Sequence, residues 1–148
     1  MEIFVLPAET KAATGYTHKA IVTHADLTET TAATAQNLTL LSLTAGDVVQ
    51  NAAFKLVTSF ADAADSGNNT TTMTLNGAGS AVVSSTQANT HGTPVLYKAF
   101  TSNTPVTVAS GTSTVQLAVG APAATKTLAA LTTGELHVFF AVNKLASL

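Results

Sequence analysis

The chain of 148 residues is predicted to fold as an all-β, single-domain antiparallel β-sandwich of the jelly-roll kind. Three observations predict this fold. Thr and Val are abundant, and a branched Cβ packs well on a pleated sheet but loses side-chain freedom in a helix. Short stretches alternate between apolar and polar residues, which is the period of a half-buried strand. Gly, Pro and Asn separate these stretches, and amphipathic helix patterns are scarce, as is typical of sandwiches and barrels.

Nine or ten short strands are expected along the chain. The stretches with strand character are 3–6, 19–23, 38–43, 54–60, 70–75, 95–100, 106–108, 115–119 and 136–142. Alternation also assigns their faces. Residues expected to point into the core are Phe54, Leu56, Phe60, Thr71, Met73, Leu75, Val115, Leu117, Val119, Leu136, Val138, Phe140 and Val142. Residues 80–89 fit either a strand or one short helix, and residues 120–130 are expected to form an extended crossing.

Two kinds of connection are predicted. Asn76-Gly77 is the dipeptide of a tight hairpin turn. The stretches 43–48 and 131–136 share the order Leu, Thr, small residue, Gly, acid, aliphatic residue. This match predicts two equivalent corners of one sandwich. There Gly adopts a positive φ, and the acids Asp47 and Glu135 accept hydrogen bonds from turn amides.

Composition excludes several classes of function. The chain has no Cys, which removes thiol catalysis, zinc–thiolate sites and disulfides. Its six basic residues are all Lys and its net charge is −2, which argues against nucleic acid as a partner. No apolar stretch approaches the ~18 residues of a membrane span, so no membrane partner is expected. The first residues lack the basic and apolar pattern of a signal peptide, which predicts a protein that folds where it is made.

The histidines do not form a recognisable metal motif. His18 and His24 are six residues apart, which is ~20 Å on one strand and too far for one ion. His24 and Asp26 could form a pair but need partners from elsewhere in the chain. His91 and His137 are expected to be surface residues. Neither a bound metal nor a cofactor is therefore predicted.

Acidic residues give only weak catalytic or binding patterns. Paired carboxylates for glycoside cleavage would have to come from Asp47, Asp62, Asp65 and Glu135, and turn capping already explains Asp47 and Glu135. Asp62, Asp65, Asn68 and Asn69 offer oxygen ligands for calcium, but their spacing matches no EF-hand. No nucleophile elbow or phosphate-binding loop is present. The sequence predicts that the protein is not an enzyme.

The corner at 43–48, and the stretch 131–135 leading into the apolar strand 136–140, resemble small jelly-roll structural proteins of tailed bacteriophages. The resemblance covers about residues 17–143 of a Cys-free chain rich in Thr and Ala. It implies a capsid decoration or cement protein, or a head or tail accessory, with no catalytic residues. It further implies a homotrimer made in the host cytoplasm. The trimer would sit on the capsid surface of the virion, with the major capsid protein or another virion protein as partner.

Under that resemblance the chain divides at residue 16. Residues 1–16 would be an N-terminal arm, with a short strand followed by a polar spacer at 7–15, and residues 17–148 would be the sandwich. Ile3, Phe4, Val5 and Leu6 are the candidate assembly contact, because an edge strand on a spacer can extend a neighbour's sheet. The alternative is that residues 3–6 form an ordinary first strand of the same sandwich.

Two other functions are possible for a sandwich of this kind. A host-recognition or carbohydrate-binding jelly roll, in a head fibre or tail accessory, would use the loops 62–69 and 89–94 as its site. A cupin-like enzyme would need clustered histidines of the H-x-H kind, which the chain lacks. The virion structural role is the leading prediction.

Overall fold

A computed structural model describes residues 1–65, 68, 71–88, 96–99 and 105–144 of the chain. This part contains ten β-strands and one short α-helix, α1 (Ala8–Thr14). The strands are β1 (Glu2–Val5), β2 (His18–Thr23), β3 (Gln36–Thr44), β4 (Asp47–Ala61), β5 (Thr72–Gly77), β6 (Ser80–Gln87), β7 (Leu96–Ala99), β8 (Val106–Thr107), β9 (Thr112–Val119) and β10 (Thr133–Lys144). The predicted all-β class is confirmed, and residues 80–89, whose sequence fits either a strand or a helix, contain the strand β6.

The strands form two antiparallel sheets. The first sheet has the order β1-β2-β10-β4-β7, with β8 paired to β4, and the second has the order β3-β9-β5-β6. From β2 to β10 the chain mostly alternates between the sheets, and its last strand returns beside β2. Apart from the added strands β1 and β8, each sheet has four strands, and this winding order is that of a jelly roll.

One hydrophobic core fills the space between the sheets. Both sheets supply large buried side chains, among them Phe54, Phe60 and Phe140 from the first sheet and Met73 and Leu117 from the second. Every residue expected to point inward is buried. The predicted faces are therefore confirmed, and the side of the first sheet that points away from the core is called its outer face below.

The β5–β6 hairpin turns two residues later than predicted. Gly77 pairs with Ser80, so the two central turn residues are Ala78 (φ 48°) and Gly79 (φ 83°). Positive φ at both positions is the type I′ turn that matches strand twist. Asn76 and Gly77 instead lie in β5, where a Cβ on Gly77 would come 3.0 Å from Val49 Cγ2. Gly77 therefore serves close packing of the two sheets, and the prediction of a turn at Asn76-Gly77 was wrong.

The two matched stretches have different structures. At 43–48 the chain crosses from β3 to β4, and Asp47 caps this corner by accepting a hydrogen bond from the Thr44 amide at 2.8 Å, as predicted. At 131–136 there is no equivalent corner, because Gly134 and Glu135 already lie within β10. The register of β10 against β4 shifts there, and Gly134 has a φ of 143°. The Glu135 carboxylate contacts His137 Nε2 at 2.7 Å, so the prediction of a turn cap at Glu135 was wrong.

The segment expected to be a polar spacer contains α1. The helix follows Pro7 and ends at Gly15. Gly15 has a φ of 75°, and its amide donates a hydrogen bond to the Lys11 carbonyl, which terminates the helix. Ala, Glu and Lys between Pro7 and Gly15 are strong helix formers, and this local signal could have predicted the helix. Residues 120–130 cross between β9 and β10 as expected, but they are not extended throughout: they contain a hydrogen-bonded turn at 123–126 and a 3-10 turn at Leu128–Ala130.

Candidate functional site

The strand β1 lies at the edge of the first sheet. It pairs with β2 in the register Glu2–Ile21, Ile3–Ala20, Phe4–Lys19 and Val5–His18. No strand of the described chain pairs with its other side. Ile3 is 42% exposed, Phe4 43% and Val5 68%, whereas Leu6 is half-buried. Three of the four candidate contact residues therefore lie on an open sheet edge, and Leu6 does not.

The side chains of β1 continue both faces of the sheet. Ile3 lies opposite Ala20, which is buried in the core, so Ile3 and Val5 extend the inward-facing row beyond β2. Phe4 lies opposite Lys19 on the outer face. The inward-facing row thus ends in two apolar side chains, Ile3 and Val5, that stay 42% and 68% exposed.

A cavity of about 280 Å³ lies between α1 and the outer face of the first sheet. The sheet contributes Ala53, Phe54, Lys55 and Phe139, and the segment around α1 contributes Leu6, Thr10, Thr14 and Tyr16. The Tyr16 and Phe139 rings lie 5.7 Å apart between centroids, and the Lys19 ammonium lies 5.9 Å from the Phe139 centroid. Sequence reasoning missed this cavity, because its walls come from residues more than 100 positions apart.

His18 lies at the other end of β2 from the turn that contains His24. Its ring stacks on Phe140 with 5.1 Å between centroids, and its Nδ1 is 2.7 Å from the Thr17 hydroxyl. Burial lowers the pKa of His18 below its ordinary value of 6.5, and the ammonium groups of Lys11 and Lys144 lower it further. His18 is therefore built into the packing between β2 and β10.

The remaining metal candidates are dispersed. Asp26 uses its carboxylate to cap Thr23, whose amide donates to it at 2.8 Å, and is not held as a ligand beside His24. His137 contacts Glu135. Across the described ranges, no three His, Asp or Glu side chains gather into a group able to hold a metal ion.

The calcium candidates in the loop 62–69 have other partners. Asp65 forms an ion pair with the Lys126 ammonium. The Asp62 carboxylate accepts a hydrogen bond from the Ala64 amide at 2.9 Å. Asn68 is buried and donates to the Thr127 carbonyl at 3.2 Å. Asn69, His91 and the candidate glycan loop at 89–94 lie outside the described residues.

Comparison with known proteins adds no assignment. No protein-family model, no curated protein and no solved structure matches the chain. Among the described helices, none has the length and apolar character needed to cross a membrane. The class that the geometry defines is a jelly-roll protein with an open apolar edge strand, β1.

Proposed function

We propose that the chain is a non-enzymatic structural protein of a virus particle. In its most specific form, it is a capsid decoration or cement protein that binds the major capsid protein lattice and stabilises the head. The observation that carries this proposal is the open edge of β1, with Ile3, Phe4 and Val5 exposed on it. The jelly roll is a fold that viral capsid proteins use, which supports the proposal by analogy.

An exposed edge strand is a liability unless something pairs with it. Natural sheets protect their edges with charges, prolines or covering loops, because unpaired amides and carbonyls bind other strands. On β1 the one charged residue is Glu2, and the others are Ile3, Phe4 and Val5. An extended segment of a capsid subunit can add to this edge through backbone hydrogen bonds, while Ile3 and Val5 pack against its side chains.

The energy available from one such edge favours several copies acting together. Ile3, Phe4 and Val5 are already partly covered, so completing their burial contributes about 1 kcal/mol each, or about 3 kcal/mol in total. A dissociation constant of ~1 mM already requires about 4 kcal/mol. One arm would therefore bind weakly, whereas three arms of a homotrimer bound to one lattice site would gain from avidity. Avidity favours an oligomer over a monomer, and we propose that this oligomer is the homotrimer.

The first test is the number of copies in the particle. Mass spectrometry of purified virus particles should find many copies per capsid, in a fixed ratio to the major capsid protein. A few copies per particle would indicate a tail or fibre accessory and would overturn the decoration role. Absence from particles would overturn the virion role altogether.

The second test replaces the exposed residues of β1 by charge. The double variant Ile3→Asp, Val5→Asp should keep its circular dichroism spectrum, because both side chains are exposed. It should lose more than about tenfold in co-sedimentation with capsid shells that lack the protein. The matched control is Asn37→Asp, Thr39→Asp, which charges two exposed positions on β3, one of the two edge strands of the second sheet. Wild-type binding by the β1 variant would contradict the proposed contact.

A further inference from the structure

The exposed apolar side chains are concentrated on β1. Among the residues that the structure describes, the large hydrophobic side chains that are exposed are those of Met1, Ile3, Phe4 and Val5. An apolar patch on an otherwise covered surface marks a site of interaction. Because this patch is an open edge strand, a strand from another molecule can cover it. A second copy of the chain brings the same apolar residues to such a contact.

The backbone of β1 presents hydrogen-bonding groups to the open side at every second residue. The Leu6 amide donates to the Thr17 carbonyl at 2.9 Å, so the amide of Leu6 points toward β2. The direction of these groups alternates along an antiparallel strand. The backbone groups of Phe4 therefore also point toward β2, and those of Ile3 and Val5 point to the open side. A strand that adds to this edge has to bond to Ile3 and Val5.

The order of residues around Phe4 is self-complementary. When two β1 strands pair antiparallel about a two-fold axis beside Phe4, Ile3 of each copy lies opposite Val5 of the other. Each of these two pairs can form two backbone hydrogen bonds, because both residues direct their backbone groups to the open edge. The two Phe4 rings then lie opposite each other on the outer face, where aromatic cross-strand pairs stabilise a sheet. A two-fold interface requires a patch that is complementary to itself, and β1 meets this requirement.

The residues beside this apolar centre favour the same register. Glu2 lies opposite Leu6 of the second copy, so the two Glu2 carboxylates are at opposite ends of the contact and do not repel each other at close range. A shift of two residues in one direction would place Pro7 opposite Ile3, and Pro has no amide to donate. A shift in the other direction would place Glu2 opposite Phe4 and would end the match between apolar residues.

We propose that β1 binds β1 of a second copy in this antiparallel register, and that the pairing covers the edge while no capsid subunit is bound. The capsid part of this inference rests on the proposed function, whereas the pairing of two copies does not. Both partners need the backbone groups of Ile3 and Val5, so they compete for one edge. The contact joins copies in pairs and is therefore distinct from a three-fold contact of the proposed homotrimer. A strand of four residues gives a weak and reversible pairing, which a capsid segment can replace.

Single cysteine variants test the register, because the chain has no Cys of its own. Phe4→Cys should form a disulfide between two chains under mild oxidation, since the Cα atoms of this pair are expected ~4.5 Å apart, which a disulfide can span. Its circular dichroism spectrum should stay that of the wild type, because Phe4 is exposed.

The matched control is Val5→Cys. Val5 is more exposed than Phe4, at 68% against 43%, but the two copies of Val5 are offset by two residues, which is about 7 Å along the strand. Val5→Cys alone should therefore stay largely uncrosslinked, and it should crosslink when mixed with Ile3→Cys. Non-reducing gels and mass spectrometry measure the covalent dimer. The pairing is overturned if Phe4→Cys gives no more covalent dimer than Val5→Cys does.

The disulfide-linked dimer of Phe4→Cys also tests the competition for the edge. It should co-sediment with capsid shells more than about tenfold more weakly than the same variant after reduction. Equal binding before and after reduction would overturn the covering role and the capsid contact of β1, whereas the pairing of copies would stand. Absence of crosslinking would overturn the pairing and would leave the capsid test of β1 unaffected, so the two proposals fail separately.

Discussion

At the residue scale, Thr hydroxyls and a few charged side chains supply the polar groups of a chain that has few charged residues. The chain contains 27 Thr, and exposed strand positions such as Thr39 and Thr58 show where they serve as polar surface. The buried Asp47 has a more specific role. Its hydrogen bond from the Thr44 amide, and then the Lys144 ammonium, hold its pKa below the ordinary value of 3.8. The carboxylate therefore stays charged and keeps the β3–β4 corner closed at neutral pH.

Gly134 is the residue whose replacement we expect to be most damaging. Its φ of 143° disfavours a side chain, and a Cβ there would come 2.2 Å from Cδ1 of the buried Phe60 ring. Gly134→Ala should lower the free energy of unfolding by about 3–5 kcal/mol, from backbone strain and overpacking together. Urea unfolding measures this change.

The control for Gly134 is Gly111, which also has a positive φ, 68°, but has open space around it. Gly111→Ala should cost only about 1–2 kcal/mol, the backbone part of the effect. Equal losses for the two variants would show that the contact with Phe60 does not determine the effect.

At the element scale, the connections between strands are harder to predict from the sequence than the strands themselves. The strand stretches follow from alternation, whereas α1 and the exact hairpin turn depend on a few residues each. In the β5–β6 turn the second central residue is Gly79, but the first is Ala78 at a φ of 48°. A Cβ in this region is disfavoured, so the hairpin is closed at some cost in stability.

Asn tolerates that backbone conformation better than Ala, and Asn-Gly is the preferred pair for a type I′ turn. Ala78→Asn should therefore raise the free energy of unfolding by about 0.5–1 kcal/mol. Thermal and urea unfolding measure it. Ala81→Asn, at an exposed position in β6 that has no positive φ, should give no gain. A gain of the same size at both positions would point to a general effect of Asn and not to the turn.

At the scale of the whole molecule, one core joins both sheets, so protonation of one half-buried group that packs on this core changes the stability of the whole fold. His18 contacts Phe140 and Thr17 and is placed between β1 and β10, its partners on either side. Burial, and then Lys11 and Lys144, lower its pKa in the folded state. The unfolded chain therefore binds this proton at a higher pH than the folded chain does.

The sign of the pH dependence follows from that difference. The stability due to neutral His18 is fully present above pH 6.5 and is lost as the pH falls through the folded-state pKa. The slope cannot exceed about 1.4 kcal/mol per pH unit for one proton. Asp47 does not contribute in this window, because its lowered pKa moves its loss below pH 3.8.

Melting curves between about pH 8 and about pH 5 test this expectation. The wild type should lose stability toward the acid end of the range. His18→Gln should be less stable at neutral pH, because it loses the stacking on Phe140, but its melting temperature should change less with pH. A slope as steep in the variant as in the wild type would assign the pH dependence to other groups.

Much of this architecture could be predicted from local pattern alone. Residues that are close together in the sequence determine the strand class, the inward faces of β4, β5, β9 and β10, and the capping role of Asp47. Alternation and turn chemistry act over such short separations. The apolar character of residues 3–5 was also visible in the sequence, whereas their exposure was not. Their use in assembly stays a prediction, as does the division of the chain at residue 16.

The other features of the fold depend on the pairing of segments that are far apart in the sequence. Only the tertiary structure makes β1 an open edge, brings Gly134 against Phe60, moves the hairpin turn to Ala78 and Gly79, and leaves a cavity between α1 and Phe139. Each of these depends on which distant segments pair and in which register, and register is set by burial of a whole face and not by any local motif. The sequence by itself therefore determined which residues form strands and face the core, whereas the packing of the two sheets decided which edges and spaces remain available for binding.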